Sequence, residues 1–370
     1  MLSLEKTDMR NLFLLLAMLT GSVCWSQKLS DNYPKMVNQI IKSLDPKPDE
    51  SVIIRYDPEL MADLALGLAT VMKPKVETLI ILPYGPMENF SVSLSETAIY
   101  IMLPVRSVVP GQPEQDRALV EWLDSGGGRQ IHFHWGDGTR NWDSTNGQHN
   151  AVYDSIYLAA LDIDYEALDR KQERVAEILR SGLIGVTTPA GTDLTFQISN
   201  RTITKQNGDA SLERMKSAKV RIEREIELPS GAIRVSPIEE SVNGTLVVGT
   251  GNIAGVEVAD LQLIFEKGKV VNVEATKGKS AFEAKLESTP GLNYFREIGI
   301  GFNPALNKPK GFDPVPYYGY GQGVVRLSLG NNIELGGKVG EHGVQWMFFL
   351  DTTVKVGDVV IVKDGVLQEL

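Results

Sequence analysis

Residues 51–85, SVIIRYDPELMADLALGLATVMKPKVETLIILPYG, alternate between two kinds of hydrophobic pattern. Residues 51–56 and 77–85 contain short apolar runs typical of buried strands, whereas residues 58–72 place apolar side chains at helical spacing. The order strand, helix, strand is typical of a βαβ unit, whose two strands run parallel in one sheet. This stretch therefore predicts an α/β domain.

The same alternation continues beyond it. ETAIYIML (96–103) and RALVEWLDSGGGRQIHFHW (117–135) predict a strand, a helix, a glycine-rich turn and a further strand, so residues 27–150 are assigned to the α/β domain. Residues 151–182 carry the longest helical pattern and are predicted as connecting helices, with a break at Asp164-Tyr165. Residues 183–370 contain short strand patterns separated by turn residues and predict a strand-rich α+β domain.

The first 26 residues differ from the rest of the chain. Arg10 precedes the apolar run of residues 11–21, and small residues follow before Gln27, as in a bacterial-type signal peptide. The run is shorter than the roughly 20 residues of a membrane span. Cys24 offers a lipid-attachment site, but Val23 stands where a lipobox has a small residue, so cleavage after Ser26 is favoured. We expect a periplasmic or extracellular protein without a membrane span in its mature form.

Composition limits the classes of partner. The 370-residue chain has a formal net charge of −10, so its overall charge does not attract nucleic acid or anionic lipid over long range. It is long enough for two domains that each bury a core. A homo-oligomer stays open.

Several short motifs resemble, in order, the thermophilic aminopeptidases: aminopeptidases T and S and their leucyl aminopeptidase-like relatives. The similarity runs from about Tyr153 to the C-terminus. The motifs are TTPAGTDL (187–194), LPSG (228–231), PIEESVNGT (237–245), LIFEKGKVVNVEA (263–275), REIGIGFNP (296–304) and RLSLG (326–330). The resemblance implies a two-domain metallopeptidase that removes N-terminal residues from peptides with a pair of divalent metals. Some distant relatives instead use one iron to open dihydroxypyridine rings, so the fold does not fix the chemistry.

The resemblance also implies six metal ligands, and most of those positions have changed in this chain. Glu297 matches a family ligand, and His342 is a further candidate if a gap is placed near it. The remaining ligand positions fall on other residue types: Ala232, Arg326, Ile333, Gln345 and Met347. A zinc, cobalt, manganese or iron site is expected only if other side chains replace the missing ligands.

The loss of metals has an electrostatic consequence. A buried glutamate left without its dications is costly unless another cation compensates it. Arg326 would supply such a charge, and we predict an ion pair between Arg326 and Glu297 in place of the metals.

The motif QIHFHWG (130–136) raises a separate question, because residues two apart in a strand share a face. His132 and His134 could hold one zinc, but a third ligand is lacking, since His149 follows in a polar loop. Two alternating histidines in a strand usually pack or form hydrogen bonds, and a cleft-lining role is the alternative for both. For Asp193 the favoured role is capping of backbone amides in the GTDL turn, with cleft lining again the alternative.

Two functions remain open from the sequence. In one, the protein is a metal-dependent aminopeptidase whose site was rebuilt with Glu297, His342 and His132 or His134. In the other, it is a metal-free pseudo-enzyme that binds a peptide or small molecule in the former active-site cleft. Catalytic residues are not assigned.

Overall fold

The computed structural model describes residues 29–87, 89–104, 113–133, 135–136, 149–312, 315–340 and 343–370. The predicted signal peptide, His134 and His342 therefore lie outside the described residues. Within these ranges no helix is long and apolar enough to cross a membrane.

The helices that the structure describes fall mainly in the first half of the chain. They are α1 (Tyr33–Leu44), α2 (Ala62–Met72), α3 (Phe90–Ser95), α4 (Pro113–Asp124), α5 (Ala151–Leu161), α6 (Tyr165–Arg180), α7 (Leu212–Lys216) and α8 (Lys279–Ser288). The predicted break between the connecting helices is present. Asp164 caps the second of them, because its side chain accepts a hydrogen bond from the Ala167 amide at 2.9 Å.

The strands form one parallel and two antiparallel sheets. They are β1 (Ser51–Tyr56), β2 (Thr78–Pro83), β3 (Ile99–Leu103), β4 (Arg129–His132), β5 (Ile184–Thr187), β6 (Asp193–Phe196), β7 (Thr204–Gln206), β8 (Glu225–Glu227), β9 (Ala232–Val235), β10 (Asn243–Ile253), β11 (Val256–Glu266), β12 (Lys269–Glu274), β13 (Phe295–Gly301), β14 (Val325–Gly330), β15 (Val344–Phe349), β16 (Thr353–Val356), β17 (Val359–Lys363) and β18 (Val366–Leu367).

The parallel sheet has the strand order β2-β1-β3-β4-β8, so the βαβ prediction from residues 51–85 is confirmed. Its last strand, β8, comes from the segment assigned to the second domain. The strand is only three residues long and pairs with β4 through Gln130, Ile131 and His132. The chain therefore returns to the parallel sheet after residue 183.

The antiparallel part consists of an eight-stranded sheet, β12-β11-β10-β6-β5-β16-β17-β18, and a five-stranded sheet, β15-β14-β13-β9-β7. Alternate residues of these strands bury their side chains in one large core, to which Val186, Leu263 and Ile298 belong. The other face of the five-stranded sheet is also buried, and it carries charged side chains. That face holds the candidate site.

Candidate functional site at the junction of two sheets

The site begins where the carboxyl edge of the parallel sheet approaches the segment before β14. His132 ends β4 and Glu227 ends β8, and the two residues are paired in register. Tyr317 Oη donates a hydrogen bond to the His132 carbonyl oxygen at 2.9 Å, and Tyr320 Oη donates one to the Glu227 carboxylate. The carboxyl ends of parallel strands are where α/β sheets bind their ligands.

The five-stranded sheet places three charged side chains on one face. Arg234, Gly299 and Arg326 lie opposite one another on β9, β13 and β14, so their side-chain positions share a face. Glu297 is two residues before Gly299 on β13 and therefore points to the same side. Gly299 has no side chain, which leaves room for the Arg326 guanidinium, since an added Cβ would lie 3.4 Å from Arg326 Nε.

Glu297 is fully buried, at 0% exposure, and three guanidinium groups surround its carboxylate. Arg234 Nε donates to Oε2 at 3.0 Å. Arg296 Nη1 lies 2.6 Å from Oε1, and Arg326 Nε lies 3.2 Å from the same oxygen. The predicted ion pair between Arg326 and Glu297 is present, and two further arginines join it.

Arg296 reaches Glu297 because of a β-bulge. Neighbouring residues in a regular strand point to opposite faces, but the register between β13 and β14 shifts between Phe295 and Glu297. The bulge allows the side chains of Arg296 and Glu297 to meet although the residues are adjacent in sequence.

A second carboxylate completes the cluster. Glu334, in the short turn Ile333–Leu335, accepts a hydrogen bond from Arg234 Nη2 at 2.8 Å and another from Arg296 Nη2. Arg221 Nη2 lies 3.6 Å from the same carboxylate. We call Arg234, Arg296, Arg326, Glu297 and Glu334 the arginine cluster.

The guanidiniums control the ionisation of both glutamates. Burial by itself raises the pKa of Glu297, but Arg234, Arg296 and Arg326 outweigh it and hold that pKa well below its ordinary value. Burial likewise raises the pKa of Glu334, while Arg296 and Arg234 lower it to about 2. Both carboxylates are therefore ionised near neutral pH.

The structure separates the other predicted ligand positions. Ala232 shares the face of Glu297, since it lies opposite Gly301, but a methyl group offers no ligand atom. Gln345 and Met347 pair with Leu329 and Leu327 on the opposite face, and Met347 packs in the antiparallel core.

Other residues of β15 occupy the face of Glu297. Trp346 lies opposite Ser328, which lies opposite Glu297, so these positions form a row across three strands. Ile333 is 44% exposed. The neighbouring Glu334, not Ile333, enters the cluster.

The remaining sequence candidates have different surroundings. His132 is buried, and its Nδ1 lies 3.2 Å from a Glu225 carboxylate oxygen. His149 Nε2 contacts Asp154 at 2.9 Å, so these two histidines contact different carboxylates. Asp193 is exposed on β6 of the eight-stranded sheet, away from the five-stranded sheet of Glu297.

Glu227 is a buried carboxyl group beside the cluster. Burial raises its pKa to about 7, although Arg234 opposes the rise and Glu225 adds to it. Its hydrogen bond from Tyr320 ties this titratable group to the loop before β14.

Aromatic rings cover Arg326. Its guanidinium carbon lies 5.5 Å from the centre of the Trp346 ring and 5.8 Å from that of Tyr320. Tyr318 packs edge-on to Trp346 with ring centres 5.4 Å apart, and its carbonyl oxygen accepts a hydrogen bond from Arg326 Nη1 at 3.2 Å. The Arg326 guanidinium and the rings of Tyr318, Tyr320 and Trp346 thus pack together.

Sequence reasoning did not identify Arg234, Arg296, Glu334 or Glu227 as members of the site. A weak signal was present for Arg234, because AIRV is an apolar strand run in which a charged residue needs a buried partner. The other three depend on a bulge, a turn and a short strand that carry no comparable pattern.

The part of the chain that the structure describes contains no group of three or more His, Cys, Asp or Glu side chains placed to hold a metal ion. The side chains nearest the Glu297 carboxylate are guanidiniums.

Comparisons with known proteins agree with the resemblance seen in the motifs. Residues 153–308 match the family model described as thermophilic metalloprotease (M29), which confirms the predicted resemblance. No curated protein matches the chain.

Two solved structures share the fold. Wild-type AmpT from Thermus thermophilus is 15% identical, with a TM-score of 0.63, and the alignment covers 91% of this chain and 99% of AmpT. The 2,5-dihydroxypyridine dioxygenase from Pseudomonas putida KT2440 is 16% identical, with a TM-score of 0.62 and coverage of 91% and 97%. The predicted fold class, an α/β part followed by a strand-rich part, is confirmed.

Replacement of Glu297 by Gln tests the electrostatic role of the buried carboxylate. The change removes the negative charge but nearly preserves the shape, so three buried guanidiniums lose their shared counter-charge. We expect the free energy of unfolding to fall by about 3–5 kcal/mol, measured by urea denaturation. The exposed Glu287→Gln on α8 is the matched control and should change stability little. Equal stability of the two variants would contradict the assigned role.

The raised pKa of Glu227 predicts that the stability of the protein depends on pH. Its pKa is raised from 4.5 to about 7 in the folded protein, so between these values the folded state holds a proton that the unfolded state has lost. Raising the pH through this window should therefore lower the free energy of unfolding, by at most about 3 kcal/mol. The Glu227→Gln variant should show a flatter profile over the same range. Identical profiles for the two proteins would show that Glu227 does not titrate in this way.

Proposed function

We propose, from the match of residues 153–308 to the family model described as thermophilic metalloprotease (M29), that this protein is a metal-independent relative of the aminopeptidase T-like enzymes. It binds a peptide or small molecule at the junction of the parallel and five-stranded sheets. The observation that carries this proposal is the enclosure of Glu297 by three arginines.

The family implies divalent metals, and the groups around Glu297 do not fit them. A guanidinium has donors only and stays protonated, so it has no lone pair to offer a metal. Three such cations within 2.6 to 3.2 Å of the carboxylate would also repel a dication placed beside it. Zinc, cobalt, manganese or iron would have to displace this ion-pair network to reach Glu297.

The arginines instead satisfy the charge requirement that metals would meet. A buried carboxylate needs cationic or hydrogen-bonding partners, and Glu297 has them without an ion. Hydrolysis through metal-activated water is therefore not part of the proposed function.

Ligand binding at the junction is supported by its place in the fold. The carboxyl ends of β4 and β8 meet the segment that carries Tyr317, Tyr318 and Tyr320, and strand ends of this kind are common ligand sites. Arg326 and Trp346 add a charged group and a half-buried ring to the same surface. Polar and aromatic groups that converge in this way suit a peptide or a small organic molecule.

A metal-dependent aminopeptidase is the second candidate, and the match of residues 153–308 to the family model favours it. It would have to combine Glu297 with His342 and with His132 or His134. His132 already contacts Glu225 through Nδ1 at 3.2 Å, and its strand belongs to the parallel sheet, not to the sheet of Glu297.

Metal retention and peptide hydrolysis distinguish the two functions. The purified protein is incubated with zinc, cobalt, manganese or iron, freed of loosely bound ions and analysed for metal content and release of N-terminal residues from peptides. We expect neither retained metal nor hydrolysis, while a catalytically active family aminopeptidase treated in parallel shows both. One or two retained equivalents that Glu297→Gln loses would support the second candidate.

Export is proposed on the strength of the first 26 residues alone. The mature protein would begin at Gln27 and act in the periplasm or outside the cell. A mass corresponding to a start at Gln27 in protein recovered from the culture medium or periplasm would support this assignment, and an intact Met1 would contradict it.

A further inference from the structure

Three buried hydrogen-bond donors beside the arginine cluster have no protein partner among the described residues. They are Arg326 Nη2, Trp346 Nε1 and Ser328 Oγ. Arg326 itself is only 3% exposed, and its other nitrogens are directed to Glu297 and to the Tyr318 carbonyl. Buried donors of this kind are uncommon in folded proteins, because leaving a buried donor without an acceptor is energetically costly.

These donors lie close together. Ser328 and Trp346 are directly opposite each other on β14 and β15, and Arg326 is two residues from Ser328 on the same face. The Arg326 guanidinium carbon is 5.5 Å from the centre of the Trp346 ring. One small acceptor group placed among them could satisfy more than one donor.

The charge of the cluster favours an anionic acceptor. Arg234, Arg296 and Arg326 carry three positive charges, and the contacting carboxylates of Glu297 and Glu334 carry two negative charges. The five residues of the arginine cluster therefore carry one excess positive charge, and Arg221, 3.6 Å from Glu334, adds a further one. A negatively charged ligand would reduce this excess.

The backbone next to the donors is strained. Tyr317 and Tyr318 have φ values of 41° and 56°, in the left-handed region that non-glycine residues seldom adopt. Tyr318 accepts the hydrogen bond from Arg326 Nη1 and packs against Trp346. Backbone strain of this kind clusters at ligand sites, where the surrounding contacts enforce it.

We propose that Arg326, Ser328 and Trp346 form a subsite for the carboxylate group of the bound ligand. This inference rests on the proposed function and specifies its ligand class. Arg326 Nη2 pairs with one carboxylate oxygen, and Trp346 Nε1 or Ser328 Oγ donates to the carboxylate as well. The subsite occupies the face on which the family resemblance places metal ligands, so an anion binds where the relatives would hold cations.

Isothermal titration calorimetry with three probes tests the subsite on the metal-free, full mature protein at pH 6. The probes are the dipeptide Ala-Ala, its C-terminal amide and sodium acetate. We expect Ala-Ala or acetate to bind and the amide to bind at least about tenfold more weakly, since a hydrogen bond to a charged group is lost. If Ala-Ala binds far more tightly than acetate, the carboxylate of the natural ligand is a peptide C-terminus. If Ala-Ala and acetate bind equally well, the natural ligand is a free small acid.

Two variants locate the binding. Trp346→Phe keeps the ring but removes Nε1, and Arg326→Lys keeps the charge but removes Nη2, so each should weaken carboxylate binding about tenfold. Trp122→Phe, in a separate core cluster, is the matched control and should bind as the unchanged protein does. Thermal unfolding of each variant verifies that it is folded.

The result that would overturn the inference is equal binding of the dipeptide and its amide, or binding that folded Trp346→Phe and Arg326→Lys proteins both retain in full. Absence of carboxylate binding in a protein that also retains no metal would overturn the subsite alone. Metal retention at Glu297 would overturn the proposed function itself, so the two failures are distinguishable.

Discussion

The carboxylate of Glu297 is fully buried, and that constraint determines how its surroundings are built. An ionised group in such a place needs compensating charge at short range. Arg234 and Arg326 lie on β9 and β14, the two strands that flank β13, so the strand order of the sheet places two of the cations beside Glu297. The third comes from Arg296 through the bulge. Glu334 then balances two of these arginines from a turn beyond β14.

The arginine cluster differs from the metal site that the family resemblance implies. In a metallopeptidase, carboxylates around two dications give a region of high local charge that hydrolyses peptide bonds. Here Arg326 lies at a position where the resemblance implies a metal ligand, and Trp346 of β15 lies on the same face of the sheet. The positive charge at this face therefore belongs to the protein itself. A surface of this composition suits recognition of an anionic group better than coordination of a metal.

The sequence predicted the parts of the structure that depend on regular patterns. Alternating strand and helix periodicities predicted the parallel sheet, and Asp164 marked the break between the connecting helices. The pair of Arg326 and Glu297 followed from one electrostatic argument about two positions. The remaining members of the cluster depend on irregularities: the bulge at Arg296 and the turn that carries Glu334 have no periodic signal. Gln345 and Met347 show the limit of sequence prediction. A one-residue error in the alignment assigns a strand position to the opposite face of the sheet.

The most direct test of the central claim, that arginines take the place of metals around Glu297, is anomalous diffraction. Crystals of the protein soaked in zinc would be measured on both sides of the zinc absorption edge. We expect guanidinium density around the Glu297 carboxylate and no anomalous peak beside it. An anomalous peak bonded to a Glu297 oxygen, with the arginines displaced, would show that a metal can occupy this place.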